Sequence, residues 1–417
     1  MESAHIIFQK DIQMRFCKGK VFGTKAGLVT EVLMAVTLLA ACGGGGQGGG
    51  GSGGTGQAGV SSSPVPSPIA VKATSYENSK EMNTSPIPFP STANTTRAVA
   101  DFQRKGQLSL FIATLTYDPS NAATYNNKGK FIFYGKDSSG NWVEDPVLLA
   151  DTTGCLHPRK AIVADFNKDG KPDIFVACHG LDVAPFPGER QAVILSQATG
   201  GYKTSWLPFN AFGHGASAAD INNDGYPDVV LTDNTVSGNT SILVNNKDGT
   251  FTRRFDLLPS GLNGKLFFTA EFIDINADGK ADLVLAGHNW VDSGTCACVT
   301  DPVVLLNDGS GSFATSTSIT LPPIAGQGVA LDVVFKNNQF FILRTSGGVG
   351  IPVYRGTVVQ KVTYPSLTSS VVFSSPDGTM GAFSPPYTGG WTPWILPYNG
   401  NVKPDAVTNG FDISIPY

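Results

Sequence analysis

Three nine-residue stretches gather oxygen-bearing side chains at one spacing: Asp165-Phe-Asn167-Lys-Asp169-Gly170-Lys171-Pro-Asp173, Asp220-Ile-Asn222-Asn-Asp224-Gly225-Tyr226-Pro-Asp228 and Asp274-Ile-Asn276-Ala-Asp278-Gly279-Lys280-Ala-Asp282. Side-chain oxygens at positions 1, 3, 5 and 9, with the backbone carbonyl at position 7 (Lys171, Tyr226, Lys280), can converge on one ion. Glycine at position 6 permits the sharp turn this requires. Such a donor set suits calcium; magnesium sheds its water reluctantly, and softer metals prefer sulfur or imidazole, which these loops lack. Three carboxylates brought together also repel one another unless a cation neutralises them. The competing reading is an Asx-rich surface turn that binds nothing, and threefold recurrence weighs against it. An EF-hand is excluded: its position 12 must be a bidentate Glu, and here it is Val176, Leu231 or Leu285.

The elements that hold these loops are legible on either side. The loops start at 165, 220 and 274, so the spacing is 55 and then 54 residues, an internal repeat. Each loop is followed by a short apolar, β-branched run (Asp173-Ile-Phe-Val-Ala, Asp228-Val-Val-Leu, Asp282-Leu-Val-Leu-Ala) and preceded by another, such as Ala161-Ile-Val-Ala164. Runs this short and apolar predict buried strands, with the loop as a hairpin connection. Downstream, Ile242-Leu-Val-Asn245-Asn-Lys-Asp-Gly249-Thr-Phe251 and Val303-Val-Leu-Leu-Asn307-Asp-Gly-Ser-Gly-Ser-Phe313 read as strand, turn, strand. Each period thus holds about four antiparallel strands, one blade of a β-propeller. The expected fold class is all-β, with calcium loops in three blades.

These repeats resemble the FG-GAP/VCBS-type repeat proteins, whose propeller blades bind calcium in D-x-N-x-D-G-x-x-D loops, as the integrin α-subunit head does. The resemblance covers residues 97–417 and is specific in three repeats. Degenerate copies depart from it. Asp101-Phe-Gln103-Arg-Lys105-Gly106 has a cation at position 5 and Ser109 at position 9; Leu331-Asp332-Val-Val-Phe335 precedes Phe340-Phe-Ile-Leu343 without ligands; Asn399-Gly-Asn401-Val-Lys-Pro-Asp405 has Pro397 at position 1. Calcium is not expected in those three. Six registers are countable, near 101, 165, 220, 274, 332 and 397. Family members commonly close with seven blades, so six and seven both stay open. A strand from the N-terminal side, Ile69-Ala-Val71 or Pro86-Ile-Pro-Phe89, could complete the short last one.

The N-terminus carries Arg15, Lys18, Lys20 and Lys25, then the apolar run Val32-Leu-Met-Ala-Val-Thr-Leu-Leu39 and Leu39-Ala40-Ala41-Cys42. This is similar to a bacterial lipoprotein signal (1–41). The resemblance implies that Cys42 is diacylated, anchoring the chain to a membrane. Gly43, rather than Asp, favours sorting to the outer membrane of a Gram-negative cell, periplasmic or surface-exposed. A run of about ten apolar residues is too short to span the bilayer as a helix. Residues 42–96 read as a flexible linker, with 12 Gly among 43–60 and Ser, Thr and Pro thereafter, a composition that cannot bury a core. Its root-mean-square reach is roughly 40 Å.

Charged residues make up 15% of the chain, low for a globular protein and in keeping with a Gly-rich all-β chain. Loss of residues 1–41 removes five basic and three acidic side chains, taking the net charge from −4 to −6, which argues against nucleic acid as a partner. Of the cysteines left after Cys17 and Cys42, Cys155 and Cys178 flank the first loop hairpin at the same end and are expected to form a disulfide. Cys296-Ala-Cys298 is open between a strained bridge, a metal site and free thiols.

Catalytic patterns are scarce: the chain has no H-E-x-x-H, and the glycine tract at 43–54, where Ser52 is flanked by glycines, has no strand before it and no helix after it, so it makes neither a G-x-S-x-G elbow nor a nucleotide-binding loop. The expected function is therefore binding of a glycan or protein partner at the cell envelope. The alternative is a carbohydrate-active enzyme of polysaccharide lyase or hydrolase type. Taking each loop as the symmetric tip of a hairpin sets position 1 opposite position 9. Six residues outward, Arg159 then faces His179, His214 faces Asn234, and Phe268 faces His288, all at the end away from calcium. In a chain with five histidines, this concentration marks an expected ligand face, extended by His157 and Trp290. The alternative is an ordinary polar rim where strands end.

Overall fold

The computed structural model describes residues 94–118, 121–235, 239–287, 300–347 and 357–375, with 67, 68 and 70. The signal, most of the linker, Cys42, His288, Trp290, Cys296, Cys298 and the register near 397 lie outside the described residues. So does the choice between six and seven blades.

The described strands form five four-stranded antiparallel sheets, each in simple sequence order. They are β1 to β4 (Asn94–Ala100, Ser109–Leu115, Phe131–Lys136, Trp142–Glu144), β5 to β8 (Pro158–Ala164, Asp173–Cys178, Glu189–Ser196, Tyr202–Ala211), and β9 to β12 (Gly213–Ala219, Asp228–Asp233, Ser241–Asn245, Phe251–Arg254). Then follow β13 to β16 (Phe267–Ile273, Asp282–Gly287, Val303–Leu305, Ile319–Thr320) and β17 to β20 (Val329–Lys336, Gln339–Thr345, Thr357–Thr363, Thr368–Ser375). First strands pack in succession, β1 on β5, β5 on β9, β9 on β13 and β13 on β17, so they are innermost and the sheets radiate as consecutive blades of a β-propeller.

The apolar runs follow from this stacking, because both faces of a blade are covered and alternate side chains enter different cores. Ile174 and Val176 of β6 join the core between the first and second blades, while Phe175 and Ala177 join that between the second and third. Val229 and Leu231 face one way and Val230 the other; Leu283 and Leu285 oppose Val284 and Ala286. Loop position 2 is drawn into these cores as well: Phe102, Phe166, Ile221 and Ile275 are all buried, which staples each loop to the wall between two blades.

The hairpin register corrects the sequence expectation. Position 9 pairs with the residue before position 1: Asp173 with Ala164, Asp228 with Ala219, Asp282 with Ile273. Farther from the loop the first strand of each of the second to fifth blades then carries a β-bulge, shifting the register between Pro158 and Lys160, between Gly213 and Ala216, between Phe267 and Thr269, and between Ala330 and Asp332. His179 therefore lies opposite His157, its N–H donating to the His157 carbonyl at 2.8 Å, and Asn234 opposite Phe212, at 3.1 Å. Arg159, His214 with Gly215, Phe268 and Leu331 are the bulge residues themselves. A bulge re-aims a side chain out of the alternating pattern, and here it does so at one level in four successive blades.

Two further contacts close the middle of the molecule. Lys160 Nζ lies 2.6 Å from Glu271 Oε1, joining the second blade to the fourth past the third. Gly215 lets the first strands of the third and fourth blades approach closely, since a Cβ there would stand 2.6 Å from Thr269 Cα.

Candidate functional site

The three loops share one geometry. The position 1 carboxylate accepts from the N–H groups of positions 5 and 6: Asp169 and Gly170 donate to Asp165 at 3.0 and 2.8 Å, Asp224 and Gly225 to Asp220 at 3.0 and 2.8 Å, Asp278 and Gly279 to Asp274 at 3.1 and 2.9 Å. The position 5 N–H is shared with the position 3 side chain, Asn167, Asn222 or Asn276, at 2.9–3.1 Å. The position 5 carboxylate in turn accepts from the N–H of Lys171, Tyr226 or Lys280. Two backbone positions must be left-handed to allow this, position 4 (Lys168, Asn223, Ala277, φ 58–59°) and the glycine (φ 79–86°), and glycine takes that region without steric penalty.

Position 9 does a different job. Asp173, Asp228 and Asp282 are buried, and each accepts an N–H from the third strand or its end, from Ser196, Asn245 and Asn307 at 2.7–2.8 Å. Asp173 and Asp282 also hold the N–H of position 2, Phe166 and Ile275. Burial raises Asp173 and Asp228 to about 7 and raises Asp282 as well. Asp228 Oδ2 is buried without a hydrogen-bond partner.

The donors fit a hard cation, and cationic groups already lie against them. Lys171 Nζ stands 3.4 Å from Asp169, Lys247 Nζ 3.4 Å from Asp224, and Lys280 Nζ 3.6 Å from Asp278. Every loop thus has an ammonium at its position 5 carboxylate. The three carboxylates of a loop are not drawn into a tight trio. Among the described residues, such trios, with ligand atoms within 4.8 Å of one another, are Cys155–Cys178–Glu189 and His157–His179–Asp182.

The second cluster lies at the other end of the same hairpins. Arg159, His179 and His214 come together as expected from sequence, joined by His157, but they are buried rather than set on an exposed rim: 7, 3, 8 and 1% exposed respectively. Arg159 lies 2.9 Å from His214 Nε2 and 3.5 Å from His157 Nε2. His214 Nδ1 meets the Phe268 carbonyl at 2.9 Å; a carbonyl only accepts, so Nδ1 carries the proton and Nε2 receives the guanidinium N–H. Burial, then the charge of Arg159, depresses His157 well below the usual imidazole range; burial, then the neighbouring His157, Arg159 and His214, does the same to His179. Asp182 is pushed up to about 6 by burial, against the pull of Arg159. Asn234 sits apart, half-buried, with its Oδ1 unpartnered.

The backbone under this cluster is tied several times over. Cys155 and Cys178 form a disulfide with Cα atoms 5.8 Å apart. The Glu189 carboxylate accepts from the N–H groups of Leu156, His157 and Gly180 at 3.0, 3.0 and 3.2 Å. Gly180 needs its left-handed φ of 80° and would clash with Gly188 if it had a Cβ.

The model of the FG-GAP-like repeat family matches residues 165–231 and again 220–285. The chain carries FG-GAP-like repeats. No curated protein matches it. Among solved structures it is similar to a glycoside hydrolase family 43 arabinoxylan arabinofuranohydrolase from Bacillus subtilis, with 14% identity, 52% of each chain covered and a TM-score of 0.34. It is similar too to a glycosyl hydrolase from Bacteroides ovatus (13% identity, 75% of this chain and 94% of that one, TM-score 0.33). A third is a chain of RAG in complex with one melted and one unmelted RSS (11% identity, 70% and 85%, TM-score 0.39). The chain spans about half the length of the arabinofuranohydrolase. At such identities and scores these likenesses say nothing of what this chain binds.

The FG-GAP repeats explain why the loops were readable from sequence and the other cluster only in part. Tyr117, Asp182 and Glu189 were not foreseen. One signal was present: His179-Gly180-Leu181-Asp182 sets an imidazole and a carboxylate three residues apart across a glycine turn. Glu189 and Tyr117 reach the cluster from a third strand and a neighbouring blade, and no local spacing announces that.

Proposed function

We propose that the chain is a calcium-stabilised propeller that binds a glycan or protein partner and is held at the bacterial cell envelope by lipid on Cys42. Its parts are a signal (1–41), a flexible linker (42–96) and the propeller (97–417). The observation that carries the calcium reading is the recurrence of one loop geometry, with one hard-oxygen donor set and an ammonium beside it, in three consecutive blades. Asp165, Asn167, Asp169, the Lys171 carbonyl and Asp173 would hold the first ion, and their counterparts in the other two loops the second and third. Such ions supply charge neutralisation and cross-link the two strands of each hairpin. Partner binding is assigned to the end with the bulges, where Arg159 and the histidines concentrate.

Equilibrium dialysis of residues 42–417 against calcium should give three ions per chain, and a count near zero would overturn the calcium reading. A glycan array and pull-down in calcium should then yield a partner lost by Arg159→Ala/His179→Ala/His214→Ala, with calcium count unchanged. A partner that binds this variant normally would remove the site assignment. Membrane fractionation of Cys42→Ala should release soluble protein if lipid is the anchor.

A further inference from the structure

The cluster away from the loops holds donors of another kind. His157, His179 and Asp182 each present a ligand atom within 4.8 Å of the other two. Two imidazoles and a carboxylate suit a borderline metal of the zinc class, and three protein ligands leave one coordination place for water or another molecule.

The neighbourhood prepares the first two donors. Tyr117 Oη lies 3.1 Å from His157 Nδ1 and accepts the Asp182 N–H at 3.0 Å. The hydroxyl therefore contacts one ligand's ring and the other's backbone, the outer-shell role that orients a metal-binding imidazole. In the tautomer whose Nδ1–H is directed at Tyr117, the lone pair of His157 sits on Nε2. Arg159 is the group set against a cation here, yet its short contact is to His214; its 3.5 Å contact to His157 Nε2 is at the limit of hydrogen bonding. His179 Nδ1 is buried and has no hydrogen-bond partner, a costly state for a polar atom that coordination would relieve. His214 is excluded as a ligand, because Phe268 and Arg159 use both its nitrogens.

The ligands are also pre-positioned. His157 and His179 face each other at the ends of β5 and β6 through a backbone hydrogen bond, with the disulfide immediately beside them and the Glu189 carboxylate accepting the N–H groups of His157 and Gly180. We infer that His157, His179 and Asp182 form a site for one divalent ion of the zinc class, independent of the calcium loops and at the opposite end of the same hairpin.

The test uses the chain from residue 42, stripped of metal and then saturated with calcium so that the loops are satisfied. Zinc is titrated in competition with a chromophoric chelator, and cobalt is followed by its visible absorption. One zinc per chain is expected, with a cobalt spectrum of low coordination number. Both should survive Asp224→Ala, which empties a calcium loop, so loss of calcium binding and loss of this site are told apart. His179→Ala should abolish binding. Asp182→Asn, a change on a half-buried side chain, should weaken it, and Tyr117→Phe should weaken it roughly tenfold as an outer-shell change. Melting in calcium reports whether each variant is folded. Absence of zinc binding by the folded parent, or unchanged binding by both His179→Ala and Asp182→Asn, would overturn the assignment.

Discussion

The loop of the first blade and the loops of the next three have the same backbone and different chemistry. Asp101 accepts the N–H groups of Lys105 and Gly106 at 2.9 and 2.8 Å, as position 1 does elsewhere. Arg104 and Gly106 take the left-handed conformation, at φ 57° and 70°. Ser109 stands in for the position 9 carboxylate, its hydroxyl accepting the Phe102 N–H at 2.8 Å. Positions 3 and 5 are what differ. Gln103 turns away to Asp145 at 2.6 Å, and Lys105 places a cation where the others place a carboxylate. The shape of the loop therefore follows from position 1, position 9 and the glycine, whereas the proposed cation site also needs the oxygen donors that the first blade lacks at positions 3 and 5. The fifth blade dispenses with the loop altogether: Asn337 and Asn338, at φ 52° and 58°, make a two-residue turn of the type that matches strand twist.

Removing calcium tests this contrast most strongly. An ion held at 100 times its Kd stabilises the native state by about 2.7 kcal/mol, so three sites together contribute roughly 8 kcal/mol. For a domain of this size that corresponds to a fall in Tm on the order of 10–20 °C in excess chelator. Calorimetry with and without chelator measures it. An unmoved Tm would mean that all four loops are turns of one kind.

Single substitutions in the third blade separate shape from coordination. Asp224→Ala removes a position 5 ligand and the acceptor of one N–H, that of Tyr226; it should lower the calcium count from three to two and cost less stability in chelator than a change at position 1. Asp220→Ala strips the acceptor from two N–H groups and should cost about 1–3 kcal/mol even in chelator. Equal losses in chelator for the two variants would contradict the division of labour. The converse change, Gln103→Asn with Lys105→Asp, should give the first blade a fourth calcium. If none binds, the Ser109 hydroxyl does not replace the position 9 carboxylate as a donor.

Much of this was open to reading in the chain. A 55-residue period and strands apolar on both faces are imposed by blade stacking, and Ile174 to Cys178 or Val229 to Leu231 record it directly. The loops were readable because their donors are local in sequence. Register was not: a bulge adds one residue, and neither Arg159 nor Phe268 differs in type from a residue in a regular strand. Together with the one-residue offset at the loop, where position 9 pairs with the residue before position 1, the bulge moved His179 from Arg159 to His157 and Asn234 from His214 to Phe212. Burial of the His and Arg cluster was equally hidden, since it depends on packing of successive first strands, and on Gly215 giving Thr269 room. The ammonium beside Asp224 escaped notice because Lys247 comes from the turn after β11, some 20 residues beyond the loop it serves.

The lysines beside position 5 supply the smallest effect and the finest discrimination. Lys171, Lys247 and Lys280 are partly or largely exposed, and exposed ion pairs are worth about 0.2–1 kcal/mol at most. In chelator, replacing all three by Met should therefore shift Tm little. In calcium the sign reverses, because each ammonium competes with the ion for the position 5 carboxylate and its loss removes that competition. Calcium affinity of Lys171→Met/Lys247→Met/Lys280→Met should rise by up to about fivefold per site, the factor corresponding to the upper end of that range. Added salt should narrow the gap between variant and parent, since screening weakens an exposed ammonium's hold before it weakens a chelated ion. Calorimetric titration at low and high ionic strength reads both. A loss of affinity in the variant would show instead that the lysines help to hold the loops in their cation-binding form.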